Sequence, residues 1–479
     1  MNVVATRPRT VEAVPEPAEL PLERLELLCD PGSFAPLRSG VSSPALGERA
    51  SAGDGVVAGA GTVGGRPVFC YAQDPRFMGG SLGAAHADSI VGVMRLAGEA
   101  GAPVVGFVES GGARLQEGHG ALAGYGRIFR ASVELSRVVP QISIVTGVSA
   151  GGGAYSPALT DFVVMTEGAR MFLTGPRVVQ AALGEEVTME DLGGPAVHSR
   201  NGVCQLVASS DHEAAGLARE LLGLLPHRLD AAPPRAGEQG QLASRGVEDP
   251  AVSVPDDPRR VYDVREVAET ILDGRMLELS SSWARNMVTG LGRLDGRPVG
   301  VIANQPRYLG GVIDSAAAEK ASLFVNACDR FGMPLVVLVD TPGFMPGTRQ
   351  EHAGVIRHGA SLLRAFAGAT VPKLTVVLRK AYGGAVITMN SRDLGADLVF
   401  AWPQAELGIM AARQAVGIVH RRALEDAPDP DMARAEFADS YAEEHLGAST
   451  AAASGFVDEV IEPVETRARL AWALGVLER

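Results

Sequence analysis

The sequence GTVGGRPVFCYAQD at residues 61–74 returns in altered form as GRLDGRPVGVIANQ at residues 292–305, with the tetrapeptide GRPV repeated at an offset of 231 residues. Pairs of glycines repeat at nearly the same offset: Gly79-Gly80 with Gly310-Gly311, then Gly151-Gly152 with Gly383-Gly384 after a slip of one residue. Chance rarely gives an ordered series of matches over such a distance. The sequence therefore predicts two copies of one domain in tandem.

Both copies contain the same order of elements, in which strands alternate with a helix of 3.6-residue apolar period and end in glycines. This order predicts an α/β fold whose strands are buried on both faces. Residues 226–257 are rich in proline, glycine, alanine and charge, which is typical of a linker. The predicted division is a disordered tail at 1–20, a first domain at 21–225, the linker at 226–257 and a second domain at 258–479.

Composition excludes several classes of protein. The 479 residues carry a net charge of -13, which disfavours binding to nucleic acid. None of the four cysteines forms a CxxC pair, so we predict reduced thiols and no metal site. The first residues lack the apolar core of a signal peptide, and no apolar run is long enough to cross a membrane. We therefore expect a cytoplasmic protein without a membrane partner.

Glycine-rich segments follow two strands in each copy, where α/β folds place their ligands. Glycine lets a ligand approach backbone N–H groups closely, and two such donors form an oxyanion hole. The alternative is that these glycines serve tight packing or a bulge. Their matched occurrence in both copies favours oxyanion holes. The segments are Ser110-Gly111-Gly112-Ala113-Arg114, Ala150-Gly151-Gly152-Gly153-Ala154, Thr341-Pro342-Gly343-Phe344 and Tyr382-Gly383-Gly384-Ala385.

A serine hydrolase is a rival hypothesis. Gly147-Val148-Ser149-Ala150-Gly151 fits the G-x-S-x-G pattern of a nucleophile elbow, and Asp340 and His352 follow in the order of a triad. The pattern is short, however, and the second copy has Ala381 in place of Ser149. A tandem duplication is also foreign to that class of enzyme.

Several longer segments can be compared with known families: FMGGSLG, SGGARLQEG, AGGGAYSPALTDFVVM, VDTPGFMPGTRQEHAGVIRHGASLL and LTVVLRKAYGGA. In these segments the chain resembles the carboxyltransferase (β) subunits of acyl-CoA carboxylases, of the propionyl-CoA and acetyl-CoA type found in actinobacteria. The resemblance implies two crotonase-like domains built as superhelices of ββα units. It also implies a homo-hexamer whose active sites lie between the first domain of one chain and the second domain of another.

The resemblance also implies a reaction, in which CO2 passes from carboxybiotin to the α-carbon of a short acyl-CoA. Gly151-Gly152 would hold the enolate oxygen of the thioester, and Gly384-Ala385 the biotin carbonyl. Other residues implied on the acyl-CoA side are Ser110, Gly111, Gly112, Ala113, Arg114, Gly153, Tyr155 and Ile387. Those implied on the biotin side are Gly343, Phe344, His352, Tyr382 and Gly383.

The chain contains neither a Met-Lys biotin-attachment motif nor a P-loop lysine signature. We therefore expect biotin to be carried by a separate biotinylated α subunit, which alone would use ATP. Related activities with the same fold, a decarboxylase or a transcarboxylase, stay open, as does a paralogue that assembles without turnover.

Several single residues leave alternatives. Arg114 contacts either CoA phosphates or Glu117, and His352 either lies near biotin or packs at a helix start. The position of Asp340 at a strand end favours a role in a structural turn over a catalytic role. Tyr155 is expected to face the core. Ile387, two places after Ala385, is predicted to influence the choice between acetyl-, propionyl- and butyryl-CoA.

Overall fold

A computed structural model describes residues 21–236, 248–257 and 259–477. The tail predicted at 1–20 lies outside these residues. Two eight-stranded sheets are formed, one in each half of the described chain. The strands of the first sheet are β1 Ala35–Leu37, β2 Val56–Val63, β3 Arg66–Gln73, β4 Val104–Ser110, β5 Gln141–Ala150, β6 Phe162–Thr166, β7 Arg170–Phe172 and β8 Leu206–Ala208. Those of the second are β9 Leu277–Leu279, β10 Met287–Leu294, β11 Arg297–Asn304, β12 Leu335–Thr341, β13 Lys373–Tyr382, β14 Leu398–Ala401, β15 Glu406–Gly408 and β16 Glu459–Val460.

The two sheets have the same topology. The first runs β1-β2-β3-β4-β5-β6-β8 with β7 added beside the end of β5, and the second runs β9-β10-β11-β12-β13-β14-β16 with β15 beside β13. In each sheet the first three strands pair antiparallel and the others parallel. A register shift occurs between Val108 and Ser110 and again between Val339 and Thr341. The predicted duplication is therefore confirmed, down to the same irregularity in the same strand.

Helices cover the sheets and follow the predicted order. The helix after the first Gly-Gly loop, α2 Ala84–Ala100, ends where Gly101 adopts a left-handed φ of 64°. In the first half the helices are α1 Pro21–Leu28, α2 Ala84–Ala100, α3 His119–Leu135, α4 Gly152–Ala158, α5 Pro176–Leu183, α6 Met189–Gly193, α7 Pro195–His198 and α8 Asp211–Leu224. In the second they are α9 Val264–Ile271, α10 Ser315–Arg330, α11 Thr348–His352, α12 Val355–Gly368, α13 Gly384–Thr388, α14 Ala412–Val419, α15 Arg421–Glu425, α16 Pro430–His445, α17 Ala448–Ala453 and α18 Thr466–Val476.

The two halves share one apolar core, in which buried residues of both sheets form a single cluster. Phe162 of β6 stacks on Phe331 at 5.9 Å between ring centroids, and Arg330 pairs with Asp161 across the same seam. The predicted linker packs more closely than its composition suggests. Within its described part, Pro250–Ser253 form a helical turn, and Val254 is buried among residues of the second half.

Candidate functional site

The end of β5 forms a glycine turn that leads directly into α4. Gly151 has φ 58° and ψ −121°, a conformation that L side chains rarely adopt, so glycine is required there. The Gly151 N–H donates to the Phe172 carbonyl of β7 at 3.1 Å. Gly152 and Gly153 are the first residues of α4, where N–H groups have no acceptor within the helix. Two adjacent donors are therefore presented at the carboxyl edge of the first sheet.

The end of β13 forms the same turn in the second half. Gly383 has φ 63° and ψ −150°, and its N–H donates to the Gly408 carbonyl of β15 at 2.9 Å. Gly384 and Ala385 then open α13. Because the N–H groups of Gly151 and Gly383 both bond to the sheet, the pair that corresponds to Gly384-Ala385 is Gly152-Gly153. The geometry thus moves the predicted first donor pair, Gly151-Gly152, by one residue.

A second glycine loop lies beside each turn. In the first half the Gly112 N–H donates to the Ser110 hydroxyl, and in the second the Gly343 N–H donates to the Thr341 hydroxyl, both at 3.3 Å. A Cβ on Gly112 would lie 3.3 Å from the Ala150 carbonyl oxygen, which shows how closely this loop approaches the turn. The structure therefore brings together the four glycine segments as two matched pairs, one pair in each half.

Tyr125 is a residue of the site that the sequence reasoning missed. Its hydroxyl lies 3.0 Å from the Ser110 hydroxyl, and its ring lies directly under Gly152, where a Cβ would come within 2.6 Å of it. Burial raises the pKa of Tyr125 to about 12, so the phenol stays protonated. The signal available in the sequence was its place on the apolar face of α3.

A mostly buried acid that directly precedes the glycine loop is paired with an arginine in each half. In the first half Arg24 of α1 bonds Glu109 at 3.0 Å and Asp211 at 2.7 Å. In the second half Arg379 of β13 bonds Asp340 at 3.1 Å. Burial raises the pKa of both Glu109 and Asp340, and the neighbouring arginine opposes that shift. Asp340 is fully buried, which favours the structural role that the sequence suggested.

Arg114 has a structural role, so the prediction that it contacts CoA is wrong. Only 1% of the residue is exposed, and its guanidinium bonds Asp54 at 2.6 Å and Glu117 at 2.8 Å. It also donates to the Ser81 carbonyl at 2.9 Å. The group thus ties three segments together beneath the glycine loop, and no ligand phosphate can reach it. Of the two alternatives from the sequence, the pairing with Glu117 is the one observed.

Of four other predicted residues, three are exposed and one, Tyr382, is buried. Tyr155 is 51% exposed and contacts Phe129 edge-on, so the expectation that it faces the core is wrong. Ile387, the matching residue of α13, is 47% exposed. His352 is exposed at the end of α11. Tyr382 is buried, and its hydroxyl donates to Glu406.

The hydrolase hypothesis fails on the position of Ser149. This residue is fully buried in β5, and its hydroxyl lies 3.4 Å from the Val108 carbonyl oxygen. Asp340 of the proposed triad is committed to Arg379, while His352 lies exposed on α11. A serine that has no solvent access, and whose hydroxyl bonds a backbone carbonyl, cannot act as the nucleophile.

Two matched glycine turns on duplicated α/β domains are the features by which the chain can be compared with known proteins. The sequence model of the carboxyl transferase domain matches residues 14–479. The chain belongs to the carboxyl transferase family, and it is an enzyme of that class. No group of histidine, cysteine or carboxylate side chains suited to a metal ion occurs among the described residues. Within the same residues, no helix has the length and apolar character needed to span a bilayer.

Relatives with different overall reactions are about equally similar to the chain. It is 44% identical to a biotin-dependent acetyl-/propionyl-coenzyme A carboxylase beta5 subunit of Mycobacterium tuberculosis, over 95% of this chain and 86% of that protein. It is also 44% identical to the methylmalonyl-CoA decarboxylase subunit alpha of Veillonella parvula, over 95% and 89%. The crystal structure of transcarboxylase 12S, described as a hexamer with methylmalonyl-coenzyme A and methylmalonic acid bound, matches with a TM-score of 0.90 and 45% identity. That match covers 95% of this chain and 88% of the other.

Proposed function

We propose that the chain is the carboxyltransferase subunit of a biotin-dependent acyl-CoA carboxylase. In this proposal it transfers CO2 from carboxybiotin to the α-carbon of propionyl-CoA or acetyl-CoA, giving methylmalonyl-CoA or malonyl-CoA. The observation that carries the proposal is the repeated glycine turn with its two helix-start N–H groups. The reaction develops negative charge on two different carbonyl oxygens, and each turn offers donors for one of them.

In the first half, the N–H groups of Gly152 and Gly153 would hold the thioester oxygen as it becomes an enolate. The loop at Gly111 and Gly112 lies beside this turn, and its lack of side chains would leave room for the acyl group. In the second half, the N–H groups of Gly384 and Ala385 would hold the ureido oxygen of biotin. Carboxybiotin would supply the CO2 and the nitrogen that accepts the α-proton. The residues fit this group, because the space beside Gly384 is open.

The proposed partners follow from the relatives and from what the chain lacks. A separate biotinylated α subunit would bring carboxybiotin and would alone consume ATP. The hexamer assembly described for transcarboxylase 12S supports a hexamer here as well. Exposed apolar side chains around both turns, among them Leu173 and Ile409, support contacts between chains at the sites. A cytoplasmic location is part of the same proposal.

The test is ATP-dependent incorporation of labelled bicarbonate into propionyl-CoA and acetyl-CoA by the purified chain with a biotinylated α subunit. Gly384→Pro removes one N–H donor, and proline is tolerated at the first position of a helix. Loss of one oxyanion donor should lower kcat by about 10²–10³-fold. Gly384→Ala is the matched control, because it adds bulk at the same place but keeps the N–H.

Incorporation that needs both subunits and falls much further with proline than with alanine would support the proposal. Equal rates for the two variants would exclude a role for the N–H group. No incorporation with several α subunits, by a chain that still assembles, would contradict the carboxylase function.

Decarboxylation is the second candidate, since the Veillonella parvula relative carries that name at similar identity. The same two turns would serve the reverse transfer, from methylmalonyl-CoA to biotin. Transfer of the labelled carboxyl group from methylmalonyl-CoA to the biotinylated carrier, without ATP, would favour it if the forward reaction is absent.

A further inference from the structure

Two buried thiols of the first half lie side by side. Cys29 follows the last residue of α1, and Cys70 lies on β3. Their sulfur atoms are 3.9 Å apart, and neither residue is more than 3% exposed. Both are free thiols in the structure. A disulfide bond is about 2 Å long, so the two sulfur atoms would need to approach by roughly another 2 Å to form one.

One frame of hydrogen bonds surrounds the end of the first helix in each half. Asp30 accepts from N–H groups of the turn between β2 and β3, and Asp273 accepts from those of the turn between β10 and β11. An arginine then holds each acid and the last carbonyl of the helix. Arg219 bonds Asp30 at 2.8 Å, and Arg467 bonds Asp273 at 2.6 Å. The residues that precede the two acids therefore correspond.

The side chains inside this frame differ between the halves. Leu272 takes the place of Cys29, and Val301 takes the place of Cys70 at the offset of 231 residues. Both aliphatic residues are buried in the core of the second half. Two aliphatic side chains are thus sufficient for packing at this place, so the fold does not by itself require the thiols of the first half.

The surroundings of Cys29 make it the more reactive thiol. The hydrogen bond with Cys70 lowers the pKa of Cys29, and the guanidinium of Arg219 acts in the same direction, against burial and a neighbouring carboxylate. The same hydrogen bond, together with burial, raises the pKa of Cys70. Burial raises the pKa of Cys204 to about 12, and it raises that of Cys328 as well. Thiolates react with peroxides and thiols do not, so Cys29 should react first.

We infer that Cys29 and Cys70 form a modification site, at which hydrogen peroxide converts the two thiols to a disulfide. The Cys29 sulfur attacks the peroxide, so that an S–O bond forms, the O–O bond breaks and one water leaves. The Cys70 sulfur then attacks this sulfenic acid, so that the S–S bond forms, the S–O bond breaks and a second water leaves with the Cys70 proton. The two thiols lose two electrons, and the peroxide is reduced to two waters.

The bond would fasten α1 to the sheet of the first half. This helix also carries Arg24, which bonds Glu109 directly before the first glycine loop. Oxidation would thus fix the helix that supports this loop, and reduction by a dithiol would release it. The state of the thiols can be measured without an assay of activity, so the inference is independent of the proposed function.

The experiment treats the full chain with hydrogen peroxide, alkylates the remaining thiols under denaturing conditions and maps the unreduced peptides by mass spectrometry. We expect a linked peptide that contains Cys29 and Cys70 and that dithiothreitol separates, while Cys204 and Cys328 are still alkylated. Met432 is 61% exposed, and its sulfoxide shows that the dose of peroxide was sufficient. Absence of the linked peptide at a dose that oxidises Met432 would overturn the inference. This measurement needs no substitution, so it does not depend on the folding of any variant.

Two variants test the order of the steps. Cys70→Val takes the residue of the second half and leaves Cys29 without a partner, so Cys29 should stop as a sulfenic acid that a 1,3-diketone labels. Its label should exceed that on Cys204 by about tenfold or more, and equal labels would contradict the inference. Cys29→Ala should leave Cys70 unlabelled; label on Cys70 would show that the assigned order is wrong. Cys204→Ala is the matched control and should give as much linked peptide as the wild type.

Discussion

The two glycine turns have similar backbone conformations, but their glycines are needed for different reasons. Gly152 is packed against Tyr125, so the fold itself excludes a side chain there. A Cβ added to Gly384 would meet no described atom within 4 Å, so the fold would accept alanine. A glycine that the fold does not need, in a duplicated site, points to something outside the chain that does need it. The second turn is thus the more informative of the two about ligands.

The buried acids behind the turns show a second exchange between the halves. Position 147 is glycine in the first half, and a Cβ there would lie 2.0 Å from a Glu109 oxygen. Its counterpart in β13 is Arg379, which pairs with the shorter Asp340. The first half therefore makes room for a longer acid and brings its arginine from α1, whereas the second places acid and base on adjacent strands. The same charge balance is reached by different chain segments.

The largest expected effect comes from breaking these ion pairs. Arg379→Met leaves the fully buried Asp340 without its cation, which should cost about 3–5 kcal/mol of unfolding free energy. Arg24→Met should cost a similar amount, because it leaves two acids, Glu109 and Asp211, without their cation, although Glu109 keeps some solvent access and a bond from Thr146. Denaturant unfolding of both variants measures the two losses. The double variant Arg379→Met/Asp340→Asn should recover most of the loss. If it does not, packing and not charge explains the effect.

Alanine at the two turn glycines gives the next effect. Gly152→Ala forces its Cβ into the Tyr125 ring, and such overpacking should cost up to about 3 kcal/mol. Gly384→Ala should leave stability within about 0.5 kcal/mol of the wild type. Thermal unfolding of the two variants side by side tests the comparison. Equal destabilisation would mean that both glycines serve the fold.

A buried histidine of the first half should make the unfolding free energy of the protein fall in acid. His86 of α2 is fully buried, and its counterpart in the second half, at the offset of 231 residues, is Ala317. Burial, aided by the charge of Arg114, lowers the pKa of His86 to about 3. The folded chain then binds fewer protons than the unfolded chain between pH 6.5 and 3, so stability falls as the pH drops through that range. At about pH 5 the loss relative to pH 7 should be about 2 kcal/mol.

Replacing this histidine by the residue of the second half tests the assignment. His86→Ala should be less stable at about pH 7, because it loses packing, but its unfolding free energy should change about 2 kcal/mol less between pH 7 and pH 5. Denaturant titrations of both proteins at the two pH values give the comparison. An identical pH dependence would place the acid sensitivity elsewhere in the chain.

The features that could be predicted from sequence are those encoded locally. The duplication follows from repeated glycines and GRPV, because a strand end that needs a positive φ specifies glycine whatever surrounds it. The donor pair in the first half was misplaced by one residue, because only the pairing of β5 with β7 determines which N–H the sheet uses. Arg114 follows the glycine loop in sequence like a ligand-binding residue, yet Asp54, 60 residues earlier, buries it.

The match of Tyr125 in α3 with Gly359 in α12 has a short signal in the sequence. The offset between the repeats is 234 here, and Gln116-Glu117 with Gln350-Glu351 mark it. What the exchange changes is known only from the fold, in which the Tyr125 ring packs under Gly152 and Gly384 has no such neighbour among the described residues.

The smallest effect concerns the residues that follow each turn. Tyr155 and Ile387 occupy the fourth position of α4 and α13, and both are about half exposed. In the proposed hexamer Ile387 would face the acyl group held by another chain, so its bulk would set the preference between propionyl and acetyl groups. Shortening it removes contacts worth about 1 kcal/mol.

Ile387→Ala should therefore lower the ratio of kcat/KM for propionyl-CoA over acetyl-CoA by about fivefold, while leaving KM for the carrier unchanged. Leu323→Ala, at an exposed apolar position on α10, is the control and should leave the ratio as it is. A ratio that rises in Ile387→Ala would mean that the isoleucine shortens the acyl pocket instead of contacting the extra methyl group. An unchanged ratio would remove Ile387 from the acyl site and leave substrate choice to the first half alone.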